Sequence, residues 1–342
     1  MTHAGFSIDS LKIDAAREAE RIEGAVREFV FVNLRRKGVV IGLSGGVDSS
    51  LVAALSARAL GQDRVLGLFT PEAESSGESL RLGRRVADFL GIKTELEDIG
   101  PVLKAAGCYK RRDEAVRLVI PEYGPGYKCK IVLPALSEGA GYAIFSVVAE
   151  APDGRRIRAR LTPEAYSGVV AGASLKQRTR KMMEYYHADR LHYAVAGTPN
   201  RLEYDQGFFV KNGDGAADLK PIAHLYKTQV YQLAEYLGIP EEIRRRLPTT
   251  DTYSLEQSQE EFYFGLPYDK LDLCLYGKNH EVPKKDVARA AGLTLEQVER
   301  AYRDIDSKRR AARFLHLPPL LVEEMKEAPS SSRIVKVGGS GI

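Results

Sequence analysis

From position 10 to position 35 apolar side chains return at the three- and four-residue spacing of one helical face: Leu11, Ile13, Ala16, Ile22, Val26, Phe29 and Val30, with Arg and Glu between them. The spacing predicts one long amphipathic helix. Short apolar runs follow at 39–41, 65–69, 94–99 and 191–196, each read as a buried strand. Helical spacing resumes at Leu51, Val52, Ala54 and Leu55, and again over 79–90, where Gly91 supplies the stop. Alternating strands and helices predict a doubly wound parallel α/β sheet with right-handed crossovers and ligands at the carboxyl ends of its strands.

One region breaks this rhythm. Extended runs at 144–151 and 155–161 flank Pro152-Asp-Gly154, a good hairpin turn. Their alternation sets Phe145, Val147 and Ala149 against Ile157, Ala159 and Leu161 on one apolar face. The hairpin is expected inside an inserted elaboration over 107–172, within a single domain spanning 1–320. A Ser- and Gly-containing tail at 328–342 is expected to be disordered. No internal repeat is visible.

Composition narrows the classes. The 342 residues can bury a full core. Lys+Arg 50 against Asp+Glu 46 leaves a net charge of +4, so the whole-molecule field does not point to nucleic acid. Cys108, Cys129 and Cys274 are an odd number without metal-ligand spacing, and the six histidines are isolated; both fit a reducing compartment and no zinc. No apolar run near membrane length appears, so the expectation is a soluble cytoplasmic enzyme.

The chemistry begins at Ile41-Gly-Leu-Ser-Gly-Gly-Val-Asp-Ser-Ser50, which joins a strand to a helix. Gly42, Gly45 and Gly46 permit a tight turn, and the free N–H groups at the helix start, from Val47 on, make an anion cradle with the hydroxyls of Ser44, Ser49 and Ser50. Asp48 within it would repel phosphate unless a divalent cation lies between them, so it reads as a magnesium ligand. The Lys of a Walker A loop is missing. ATP is the implied ligand.

This loop resembles the PP-loop of the N-type ATP pyrophosphatases, which cleave ATP between the α and β phosphates. Further motifs follow: Gly197-Thr-Pro-Asn-Arg-Leu-Glu203, the run from Gly207 to Pro221, His224-Leu-Tyr-Lys-Thr-Gln-Val230 and Leu247-Pro-Thr-Thr-Asp251. Together they are similar to the motifs of the ammonia-dependent NAD synthetase family over 20–105 and 170–315. The resemblance implies a fold of the adenine-nucleotide α-hydrolase-like type, a homodimer and magnesium held by Asp48 and Glu203. It also implies catalytic roles for Asp48, Lys211 and Lys227, and nucleotide contacts from Arg178, Thr198, Lys227 and Thr249. Ser174, Lys211, Asp214, Asp218, Glu261, Ser307 and Lys308 fall at its acid-substrate positions. The chain departs from the family pattern at Ser174, where Asn is usual, at Glu260-Glu261 for Asp-Glu, and at Ser307, where a His is usual.

The activity implied is adenylation of a carboxylate, with deamido-NAD, ATP and ammonia giving NAD, AMP and pyrophosphate. No cysteine stands in a glutaminase context, so free ammonia is the expected donor, with a separate glutaminase as a partner in the cell left open. Three other readings stand beside this one: a related amide ligase for another carboxylate, a tRNA-modifying PP-loop enzyme and a non-catalytic nucleotide sensor.

Overall fold

The computed structural model describes residues 5–133, 145–248, 253–255 and 257–323, without the side chains of Glu260 and Glu261. The elements in chain order begin with helix α1 (Ala15–Arg27), strand β1 (Val39–Gly42), α2 (Val47–Leu60), β2 (Val65–Phe69), α3 (Gly77–Leu90), β3 (Lys93–Leu96), α4 (Gly100–Ala105) and α5 (Cys108–Arg117). Strands β4 (Lys128–Val132), β5 (Ser146–Glu150) and β6 (Arg156–Arg160) precede the long helix α6 (Pro163–Leu191) and β7 (Ala194–Val195). Helices α7 (Arg201–Gln206), α8 (Lys227–Tyr236), α9 (Glu241–Arg244), α10 (Tyr268–Asn279), α11 (Lys284–Ala291) and α12 (Leu295–His316) follow.

The main sheet is parallel in the order β3-β2-β1-β7, with Val39 opposite both Val65 and Ala194. Side chains alternate across it. Val39, Ile41, Val65 and Phe69 share a core cluster with residues of α1, α2, α3 and α8, while Val40, Leu66, Leu68 and Val195 cluster with Ala188 of α6. Helices on both faces explain why these strands are continuously apolar rather than alternating. The carboxyl ends of β1 and β2 therefore open toward loops that can bind a ligand.

Several element bounds differ from those predicted. The 10–35 helix divides into a 3₁₀ turn, α1 and a π-helical turn over Glu28–Asn33. The strand predicted over 94–99 ends at Leu96, and that over 191–196 contracts to Ala194–Val195 because Leu191 is the last residue of α6. Beyond the predicted hairpin, the second sheet has a third strand, in the order β4-β5-β6. Within the hairpin Val147 pairs with Ala159 and Ala149 with Ile157. Val147 and Ala149 are fully buried in a cluster with Val116 of α5 and Ala165 and Val169 of α6. The 107–172 stretch thus holds α5, a three-stranded sheet and the first turns of α6, which runs on into the main domain. The predicted tail lies outside the described residues.

Candidate active site

Gly45 sets the shape of the loop after β1. Its φ of +72° is a left-handed conformation, and a Cβ there would stand 2.5 Å from the carbonyl oxygen of Ser79. Gly46 caps α2, and its carbonyl accepts the hydroxyls of Ser49 at 3.1 Å and Ser50 at 2.8 Å. Ser44 and Ser49 hydroxyls meet at 3.1 Å. Arg246 fastens the loop to α3, donating to the Ser44 carbonyl at 3.3 Å and to the Ser79 hydroxyl at 2.8 Å.

Three helix starts converge behind this loop. Asp48 in the first turn of α2 accepts from Asn200 Nδ2 at 3.0 Å through Oδ1 and from the ammonium of Lys227 through Oδ2. Asn200 and Glu203 cap each other across the start of α7, with Asn200 N donating to Glu203 Oε2 at 3.0 Å and Glu203 N to Asn200 Oδ1 at 3.2 Å. Lys227, the first residue of α8, is fully buried, and Asp272 of α10 accepts from its backbone N–H at 3.3 Å and from that of Thr228 at 2.7 Å.

Charge in this cluster is incompletely balanced. Burial, then the Asp48 charge, pushes the Glu203 carboxyl up to about 8. Burial works against the Lys227 ammonium, but Asp48 and Glu203 outweigh it and hold the amine charged. Two carboxylates served by one lysine are a hard-oxygen donor pair suited to a magnesium ion bound beside phosphate. Among the described residues no group of three or more His, Cys, Asp or Glu side chains is arranged to hold a metal, so such an ion would draw on two carboxylates and on phosphate oxygens.

The cluster forms one side of a cavity of about 450 Å³. Of the predicted residues, Gly42, Ser44, Gly46, Val47, Asp48, Ser49, Thr198, Glu203, Lys227, Ser174 and Asp214 line it. Gly45, within the loop, and Ser50, whose hydroxyl donates to the Gly46 carbonyl, do not line it. The others are placed elsewhere. Arg178 is exposed and donates to the Lys211 carbonyl at 3.2 Å. Lys211 Nζ donates to the carbonyls of Phe314 and Leu317, at 2.9 and 3.1 Å, at the end of α12. Asp218 accepts from Val195 N at 2.7 Å and so fixes the edge of β7. Ser307 is exposed, and Lys308 donates to Tyr263 O and Asp304 Oδ2, both at 2.6 Å. Thr249 and the Glu261 side chain lie outside what is described.

Residues that the motifs do not single out complete the cavity. Arg180 and Glu184 line it from α6. At 3.6 residues per turn they share a face with Ser174 and Gln177, whereas Arg178 falls about a third of a turn away. Glu184 pairs with Lys181 at 2.5 Å, both nearly buried. Earlier on the same helix Lys176, 1% exposed, donates to Glu72 at 2.9 Å and Glu74 at 2.5 Å, and Arg112 reaches Glu74 at 2.6 Å. These ties hold the loop after β2, which contributes Thr70, Pro71, Ser75 and Ser76 to the cavity. No motif announces them, because the partners are about 35 to 100 residues apart.

Loop, carboxylates and lysine at the carboxyl end of a parallel sheet define a PP-loop nucleotide-binding α/β protein. The family model described as NAD synthase matches residues 18–119 and 154–312, and the chain belongs to that family. It is 61% identical over 317 residues to an NH(3)-dependent NAD(+) synthetase of Mesorhizobium japonicum, covering 93% of this chain and 99% of that one. An NH(3)-dependent NAD(+) synthetase of Thermotoga maritima is 34% identical, covering 79% and 91%. Among solved structures, an NMN synthetase from Francisella tularensis matches with TM-score 0.62 at 20% identity over 91% of this chain and 99% of that one. An NH3-dependent NAD synthetase from Campylobacter jejuni matches with TM-score 0.60 at 21% identity over 91% and 100%. At these identities the two structures establish the fold alone.

Proposed function

We propose that the chain is an ammonia-dependent NAD synthetase that adenylates the carboxylate of deamido-NAD and transfers ammonia to it. The observation that carries this is the convergence of Asp48, Glu203 and Lys227 behind a phosphate-type loop lacking the Walker lysine. The loop N–H groups and the Ser44 and Ser49 hydroxyls receive the phosphates to be released. A carboxylate oxygen of the acid attacks the α phosphorus and pyrophosphate leaves. Ammonia then attacks the acyl carbon, AMP leaves with that oxygen, and the surplus proton passes to solvent.

Lys227, held charged at the cavity wall, would stabilise charge on the α phosphate, and Arg180 lines the same cavity from α6. Magnesium, held by Asp48 and Glu203, would neutralise the departing pyrophosphate. No helix among the described residues is long and apolar enough to cross a membrane. Full-length protein incubated with ATP, magnesium, ammonia and a panel of carboxylates, with mass detection of amides, tests the reading. NAD from deamido-NAD is the expected main product; amidation of another acid in its place would refute it.

A further inference from the structure

The loop that receives the phosphates carries no cation of its own. Between Gly42 and Ser50 it has Asp48 and neither Lys nor Arg, and the ammonium of Lys227 behind it is paired with Asp48. A polyphosphate brings several negative charges to this point, and its transfer chemistry depends on positive groups that meet them. Arg246 is such a group. Three arginines in succession close α9 and go to three places: Arg244 donates to the Ile239 carbonyl at 2.9 Å, Arg245 pairs with Glu241 at 2.5 Å, and Arg246 joins the cavity wall.

The half-buried Arg246 side chain donates to the Ser44 carbonyl at 3.3 Å and to the Ser79 hydroxyl at 2.8 Å. A guanidinium has five N–H donors in one plane, and these bonds use two of them. Glu78 on α3 feels its charge, but that carboxylate is taken by Arg81 at 2.7 and 2.8 Å. Among the described residues no carboxylate lies within ion-pair distance of Arg246. It is a charged fork tied to the backbone of the phosphate loop, with three donors left for a ligand. We propose that Arg246 is a catalytic residue that binds the β and γ phosphates of ATP and stabilises pyrophosphate as it departs. This rests on the activity proposed above. A carboxylate oxygen bonds to the α phosphorus while the bond from that phosphorus to the α–β bridging oxygen breaks, and the bridging oxygen keeps the electron pair. Arg246 stays protonated throughout and only donates hydrogen bonds.

Calorimetric titration of the full chain with magnesium pyrophosphate and, separately, with AMP tests it, because binding is read without turnover. Arg246→Gln should weaken pyrophosphate roughly 10- to 150-fold, the range of one hydrogen bond to a charged group, and leave AMP within about twofold. Arg246→Lys keeps the charge without the fork and should recover most of that loss. In turnover, Arg246→Gln should lower kcat/KM for ATP by a comparable factor, with KM for deamido-NAD held within about twofold. A residue that only ties the loop to α3 would weaken both ligands together and be served no better by lysine than by glutamine. Either result overturns the assignment, as does unchanged pyrophosphate affinity in Arg246→Gln. A wild type that binds neither ligand, or that forms ADP from ATP, would instead refute the activity itself, so the two failures are told apart.

Discussion

Asp48 and Glu203 carry the account at the scale of single residues. Replacing either with its amide removes an anionic ligand from a phosphate-rich site, and the rate should fall on the order of 100-fold or more, with more magnesium needed for half-maximal activity. Unchanged magnesium dependence in both variants would contradict the assignment. The loop residues are legible in the sequence because their chemistry is local: glycines, serines and Asp48 act within ten positions of one another. Arg180 is not, because choosing between it and Arg178 needs the phase of α6, whose start at Pro163 lies beside the insert. Lys211 shows the opposite case. Its motif is plain in the sequence, but its ammonium is held by the carbonyls at the end of α12, about a hundred residues away.

Among the elements, the hairpin is legible because Pro152-Asp-Gly154 and strict alternation are both local signals. Strand β4 is hidden, since Lys128–Val132 gains its meaning only by pairing with β5 across a long connection. The amphipathic stretch at 10–35 is a more instructive difference. Ala19, Ile22 and Val26 lie in the core with residues of α2, so that stripe is consumed inside the subunit and is not free for a partner. Phe31 and Val32 of the π-helical turn remain 39% and 66% exposed. A homodimer is expected from this outward pair and from the family resemblance. Light scattering at micromolar concentration should give twice the 37.8 kDa subunit mass, and Val32→Glu should shift it toward the monomer. A monomeric wild type would contradict the expectation.

Across the whole molecule, a parallel sheet presents the loop, three helix starts supply the charge cluster, and Phe145, at the entry to the inserted sheet, borders the same cavity. Each part lies where the one-piece helix α6 can meet it, from Tyr166 beside β5 to Glu184 beside β1. The central claim is that this cavity joins a carboxylate oxygen to the α phosphorus of ATP before ammonia arrives. The fate of that oxygen tests it most directly. Deamido-NAD labelled with ¹⁸O in its carboxyl group is turned over with ATP, magnesium and ammonia, and the products are weighed by mass spectrometry. The account predicts one ¹⁸O in each AMP formed and none in pyrophosphate. Label in pyrophosphate or free phosphate, or ADP formed in step with NAD, would contradict it.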